Sequence, residues 1–234
     1  LTYLVGEVYV TPTSSAIIPP FTSKVGKTLI RNNNVTISPL KKGGLYLVKY
    51  SPLPYFMEVE GGNVYSFEVG GRYEDVIVAL TQLENKVVFN TEWKIVDVKL
   101  NPVNFNCDKR FTVEILTPAL IIDPIIKSKK KRFTNLFSFV FAVNFMDHFK
   151  LDREEYKEMT TEIEEKVREE PSKMRYATVI YAGKEVVGML GTLRYELLKR
   201  DESIFRVIEN AIAKGIGSSR KNGFGRVKIT CGEE

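Results

Sequence analysis

Histidine is almost missing from this chain: His148 stands alone among 234 residues. With one histidine and two cysteines, no His/Cys/carboxylate cluster of metal-ligand spacing suggests itself. Neither a Gly-x-Ser-x-Gly elbow nor a Cys/His pair is there to build a covalent nucleophile. Cys107 and Cys231 are far apart and form no Cys-x-x-Cys spacing, so a reduced pair is expected, at least one of it packed as a small apolar residue. Long apolar runs are also absent. The most apolar stretch, Phe133 to Phe149, is interrupted by Asn135, Asn144, Asp147 and His148, and reads as a buried helix that spans no membrane. No charged stretch followed by an apolar one opens the chain, so secretion is not expected and the cytoplasm is. The Gly-Lys-Ser/Thr of a P-loop is missing too. Neither a metal nor a cofactor is expected.

What the chain does have is an ordinary globular composition, 44% hydrophobic and 27% charged, with a net charge of +5. The charge is uneven. Asp152 to Glu170 holds nine acids against four bases, leaving +10 on the remainder. One acidic helical face beside a basic body suits a protein with one anion-binding side, and equally suits a solvated helix.

The densest signal is Gly215-Ile216-Gly217-Ser218-Ser219-Arg220-Lys221-Asn222-Gly223-Phe224-Gly225. Four glycines bracket a polar, basic run, with an apolar residue inside each glycine pair. Ahead lies an amphipathic helix with Ile204, Phe205, Val207, Ile208, Ala211 and Ile212 on its apolar face; behind lies a short strand, Arg226 to Thr230. Glycines at this density allow positive φ and close backbone approach, so N–H groups can face an anion. A glycine helix cap running into a tight loop before an edge strand accounts for the same residues.

In chain order, Thr2 to Val10 reads as a strand, and a helix capped by Thr22 or Ser23 runs to about Arg31. Lys24 and Lys27 share a face of its first turns, where cations oppose the helix dipole unless an anion docks there. Leu45 to Tyr50 and Asn63 to Val69 read as strands, a helix follows Gly70-Gly71, and Val87 to Leu100 is one long or two broken strands. The order is β-α-β-β-α-β, a ferredoxin-like unit. The same order recurs from Arg110 to the end, with a hairpin turn at Ala182-Gly183-Lys184. The fold expected is α+β, two tandem ferredoxin-like (βαββαβ, RRM-like) domains at 1–105 and 106–234. A basic loop, Lys127 to Arg132, contains Lys129, Lys130 and Lys131; it can track an RNA backbone or simply aid solubility.

The glycine loop resembles that of the CRISPR-associated endoribonucleases that process repeat RNA, the sixth numbered Cas family of the repeat-associated mysterious protein superfamily. Phe21-Thr22-Ser23-Lys24-Val25-Gly26-Lys27 resembles the first-helix segment of their crenarchaeal members. Arg110 to Ala119 is similar to the opening of their second domain, and Val186-Val187-Gly188-Met189-Leu190-Gly191 to their hairpin strand. The resemblance implies metal-independent cleavage of precursor crRNA within repeats, by attack of the 2′-hydroxyl, leaving a 2′,3′-cyclic phosphate. Many members carry a histidine near the first helix, absent here; crenarchaeal members that lack it use lysine and arginine. By motif position those are Lys24 and Lys27, which stabilise the phosphorane with one as general acid, and Arg220, a bidentate phosphate clamp. Gly215, Gly217, Ser218, Ser219, Lys221, Gly223 and Gly225, with Lys129, Lys130 and Lys131, are the RNA-binding candidates. Repeat RNA is the partner implied, with effector-complex subunits and a homodimer as further possibilities and no membrane. The alternative function is a non-cleaving subunit that holds crRNA in an effector complex.

Overall fold

Tyr3, Leu4, Val8 and Val10 are buried on β1 (Tyr3–Pro12), which pairs antiparallel with a neighbour on each side. The computed structural model describes residues 1–51 and 56–232. They fall into two units: Leu1–Val103 with Thr178–Val187 and Lys221–Gly223, and the remainder from Asn104 onward.

In unit 1, β1 is followed by β2 (Ala16–Ile18), α1 (Ser23–Leu29), β3 (Thr36–Ile37), β4 (Lys41–Lys42), β5 (Leu45–Tyr46) and β6 (Met57–Val59). Then come β7 (Tyr65–Arg72), α2 (Tyr73–Thr81), β8 (Lys86–Val88) and β9 (Thr91–Pro102). The main sheet runs β5-β4-β7-β1-β9-β8, with β3 also on β7, so β1 sits between β7 and β9 as a ferredoxin-like sheet requires. Its core gathers Leu4, Val8, Val25, Leu29, Phe67, Val69 and Trp93, whose indole donates to Val88 O at 3.1 Å.

Unit 2 contains β10 (Arg110–Ala119), α3 (Phe137–Val140), α4 (Ala142–Phe149), α5 (Arg153–Lys166), β11 (Val167–Tyr181), β12 (Lys184–Leu197), α6 (Glu202–Lys214) and β13 (Val227–Cys231); the hairpin tip of β11 and β12 groups with unit 1. Its sheet order, β11-β12-β10-β13, repeats the same topology. Phe111 stacks on Tyr195 at 5.3 Å, and Phe137 on Phe141 at 4.6 Å. The buried face of α6 carries Ile204, Phe205, Val207, Ile208 and Ala211. The fold is α+β with tandem ferredoxin-like topology. No helix among the described residues is long and apolar enough to cross a membrane.

Two local expectations change and one is narrowed. The apolar segment is two helices, α3 and α4, because Phe141 leaves the α region at φ −103°, ψ 10°. Of the two forms expected for Val87–Leu100, the structure has two strands, β8 and β9, joined as a hairpin at Phe89 and Asn90, both at positive φ (55° and 62°). Cys107 and Cys231 are joined as a disulfide, where a reduced pair was expected. The reason is topological. β13 lies antiparallel on β10 with Cys231 opposite Phe111, and Gly232 N–H donates to Arg110 O, which brings the two Cα atoms to 5.5 Å across a sequence separation of 124.

Closing so long a loop constrains the unfolded chain. Cys231→Ser is expected to lower the unfolding free energy by about 2–4 kcal/mol in denaturant titrations, and a reductant should do the same to the native chain. Identical midpoints with and without reductant would show that the bridge contributes nothing.

Candidate RNA-binding site

The first-helix segment lies flat on its sheet because residue 26 is glycine. A Cβ there would meet Ile37 Cγ2 and Phe67 Cδ2, each at 2.7 Å. Ser23, Val25, Gly26 and Leu29 therefore face inward, which leaves Lys24 exposed and Lys27 half-buried. Thr22 does not cap the helix with its side chain. Its hydroxyl donates to Leu47 O at 2.8 Å and accepts from Leu40 N at 2.9 Å, tying the helix start to the following loop. The helix is also shorter than its periodicity suggests, so Lys27 falls in its last turn, and the dipole does not oppose it.

Lys27 Nζ donates to the side-chain oxygen of Asn222, the residue after Lys221 in the glycine loop. Burial, and then the charge of Lys24, lower its pKa from the usual lysine value. A cleft of about 410 Å³ opens beside it, lined by Lys27, Arg31, Asn32, Asn33, Lys221 and Asn222 over an apolar floor. Three cations and no carboxylate line this cleft among the described residues. Such a surface attracts an anion and can bind one through several donors at once. Lys41 does not join it, since it lies 3.6 Å from Glu7 and 4.0 Å from Glu68, and Lys49 is bonded to Phe56 O.

The glycine loop is divided between the units, residues 221–223 grouping with unit 1 and the rest with unit 2, where Gly215 to Arg220 and Phe224-Gly225 pack together. Gly215, Gly217, Gly223 and Gly225 have φ of 93°, 73°, 92° and 74°, as their density suggested, and Ile216 and Phe224 are buried inside the pairs. The amides, however, mostly face protein. Gly215 N–H donates to Ala211 O, Ile216 to Gly225 O, Ser218 to Leu120 O and Gly225 to Pro118 O, all at 2.8–2.9 Å. The backbone approach that glycine permits is filled by the chain itself. A Cβ on Gly225 would lie 1.9 Å from Ile216 O, and one on Gly217 2.7 Å from Leu120 O. Those four donors are thus not available to an anion. The exposed groups of the loop are Ser219 and Lys221.

Arg220 is anchored. Its guanidinium donates to Asn210 Oδ1 at 3.0 Å and to Asp147 Oδ2 at 3.2 Å, and Lys214 meets the same carboxylate oxygen at 2.7 Å. Asn144 Nδ2 joins Asn210 Oδ1 and Gly215 O to the network. Burial would raise Asp147, but hydrogen bonds from Asn210 and Lys214 and the charges of Lys214 and Arg220 outweigh it. They hold the carboxyl well below the usual range. His148, next along α4, is half-buried with its ring edge-on to Phe149 at 4.7 Å, a helix-end packing position. Lys129, Lys130 and Lys131 are exposed on the basic loop, where an isolated bridge pairs Lys131 with Ile122.

Residues 4–103 match the family model of the Cas6 N-terminal domain. The N-terminal part of the chain is similar to Cas6. Cas6 structures repeat its fold end to end. A Thermus thermophilus Cas6 superimposes with a TM-score of 0.60 at 13% identity, covering 98% of each chain. The product of a Cas6-related gene from Pyrococcus furiosus gives 0.61 at 15%, covering 97% of this chain and 98% of that one. A RAMP protein that binds different RNA substrates gives 0.57 at 16%, covering 97% and 99%. No curated protein matches the chain. At these identities the likeness shows the fold, and this chain's own side chains must carry the site. Sequence reasoning did not find Asn222, Arg31 or Asp147 as members of either cluster. An asparagine beside Lys221 in a loop has no periodicity to betray its partner, and Asp147 was visible only as an interruption of an apolar run.

Asp147→Asn should cost about 1–3 kcal/mol at neutral pH, because it leaves two cations without their carboxylate in a partly buried site. Since the folded value is depressed, the wild-type advantage should be full above the ordinary carboxylate range near pH 4 and shrink as pH falls below it. A difference that persists unchanged at pH 2 would mean that packing, not charge, is responsible. Gly225→Ala should unfold the loop outright, seen as a large loss of thermal stability.

Proposed function

We propose that this chain is a Cas6-type, metal-independent endoribonuclease that binds CRISPR repeat RNA and cuts it within repeats. The observation that carries the reading is Lys27: half-buried, lowered in pKa, bonded to Asn222 and set beside Lys24 and a cationic cleft. Cas6 structures that share this fold include complexes with a product and with a substrate mimic, and a RAMP protein of the same fold binds different RNA substrates, which supports the same class of ligand here.

The chemistry needs little apparatus. The substrate's own 2′-hydroxyl attacks the adjacent phosphorus and loses its proton to solvent, the P–O5′ bond breaks, and a proton must reach the departing 5′-oxygen. Intramolecular placement of the nucleophile supplies part of the barrier reduction, up to about 7–11 kcal/mol in ideal cases. Lys24 and Lys27 stabilise the charge that develops on the phosphorane oxygens. Lys27, made more acidic by burial and by Lys24, donates the proton to O5′ and is restored from solvent. Lys221 and Arg31 hold neighbouring phosphates. Arg220 contributes as part of a cluster in which two cations outnumber the Asp147 carboxylate, and Ser218, Ser219 and Lys129 to Lys131 contribute to RNA affinity. The products are a 2′,3′-cyclic phosphate and a 5′-hydroxyl. We place this activity in the cytoplasm, with effector subunits receiving the crRNA.

A non-cleaving crRNA-holding subunit is the second reading, favoured by the engagement of Arg220 with Asp147 and Asn210. Incubation with the host's repeat RNA in EDTA separates the two. Cleavage is expected, and a single 2′-deoxy substitution before the cut should abolish it while affinity stays within a few-fold. Lys24→Ala/Lys27→Ala should slow single-turnover cleavage roughly 100-fold or more. In Lys24→Gln the alkaline limb of the rate profile should move to higher pH, because removing the neighbouring charge raises Lys27. Tight binding with no cleavage of either RNA would establish the second reading.

Affinity should also fall steeply with salt, log K dropping about 0.7 per phosphate contact per decade on single-stranded RNA. A flat response would remove the cationic cleft from the binding surface.

A further inference from the structure

Lys27 borders two cavities of opposite character. One is the cationic cleft already described. The other, of about 460 Å³, is lined by Pro19, Pro20, Phe21, Phe56, Phe89 and Tyr181 together with Lys24 and Lys27. All of its lining residues belong to unit 1. Phe21 is buried and meets the Tyr181 ring edge-on at 5.5 Å with an interplanar angle of 86°, so the tyrosine is held by a fixed wall.

Two backbone features aim aromatic side chains at this pocket at some cost. Phe89 takes the first central position of the β8–β9 turn at φ 55°, a region that bulky side chains avoid and that Asn or Gly would adopt freely. Tyr181 directly precedes the Ala182-Gly183 turn, whose residues have φ of 49° and 75°. Strain retained at a pocket wall, in company with the two site lysines, points to use.

A pocket that is apolar and aromatic within, and rimmed by lysine ammonium groups beside a polar cationic cleft, matches one chemistry. A nucleotide has an apolar, stackable base attached to an anionic phosphate. We propose that this pocket receives one unpaired nucleobase of the RNA, stacked on Tyr181 and Phe89, from the nucleotide whose phosphate Lys24 and Lys27 hold. The base acts as a register pin that fixes which phosphate reaches Lys27. Pro19, Pro20, Phe21, Phe56 and Phe89 carry no hydrogen-bonding side chain and the lysines are engaged with the phosphate, so stacking dominates and base identity matters little. The inference rests on the RNA reading above and adds the subsite to it.

The test is a single-abasic scan of the host's repeat RNA against wild type, Tyr181→Ala and Tyr181→Phe. In wild type, one abasic position next to the cut should weaken binding by about 5- to 150-fold, the range for loss of one stacked base. The same position should cost Tyr181→Ala less than twofold, whereas Tyr181→Phe should behave as wild type. Replacing any base at that position by another should change affinity little. The fluorescence of 2-aminopurine placed there should be quenched on binding wild type and not on binding Tyr181→Ala. Thermal melting confirms that each variant is folded, and Phe89→Ala provides a second wall to remove if Tyr181→Ala is not. RNA binding in which no abasic penalty depends on Tyr181 or Phe89 would overturn the pocket and leave the endoribonuclease reading standing. Failure of wild type to bind the RNA at all would overturn both.

Discussion

Gly225 leaves no space for a side chain: its carbonyl accepts the Ile216 amide at 2.8 Å, and a Cβ would fall 1.9 Å from Ile216 O. This contact holds Gly225 against Ile216, with Ile216 and Phe224 buried beside it, where the chain passes from α6 into β13. The pairing of β13 with β10 then brings Cys231 to Cys107. Between the pairs the chain has only one short stretch with which to act, and it places Arg220 on Asp147 and Asn222 on Lys27. The glycines thus serve the site by shaping the protein, with an anion left to the side chains around them.

Charge in this chain is organised in two ways with different consequences. Around Asp147 the cations are paired, the carboxylate is held ionised, and the cluster stabilises structure. Around Lys27, burial and then the charge of Lys24 lower the lysine, and among the described residues no carboxylate lines the cleft beside it. The second arrangement costs stability and is retained next to strained aromatic turns, the pattern expected where binding, not folding, sets the residue.

Much of the architecture could be read from the residues. The period-2 pattern of β1 and β10, the apolar face of α6 and the repeated β-α-β-β-α-β order are local signals, and short-range sterics and burial enforce them. The glycine loop was legible as backbone at positive φ for the same reason, and Lys24 and Lys27 as a same-face pair. The tips and ends were less legible. Val87 to Leu100 turns at Phe89-Asn90, a pair whose residues do not announce a turn, and the acidic segment passes from α5 into β11 at Val167 without a glycine or proline to mark it.

By itself, the sequence determined the two ferredoxin-like halves, the glycine loop and the candidate lysines, because each depends on residues within a turn or two of one another. Tertiary structure alone decided who those residues meet. That Lys27 finds Asn222, that Arg220 is held by Asp147, that Cys107 reaches Cys231, and that Tyr181 closes a pocket with Phe21 are contacts across 73 to 195 positions of chain. Nothing in local propensity encodes such separations; they are set when the sheets form and the apolar faces are buried.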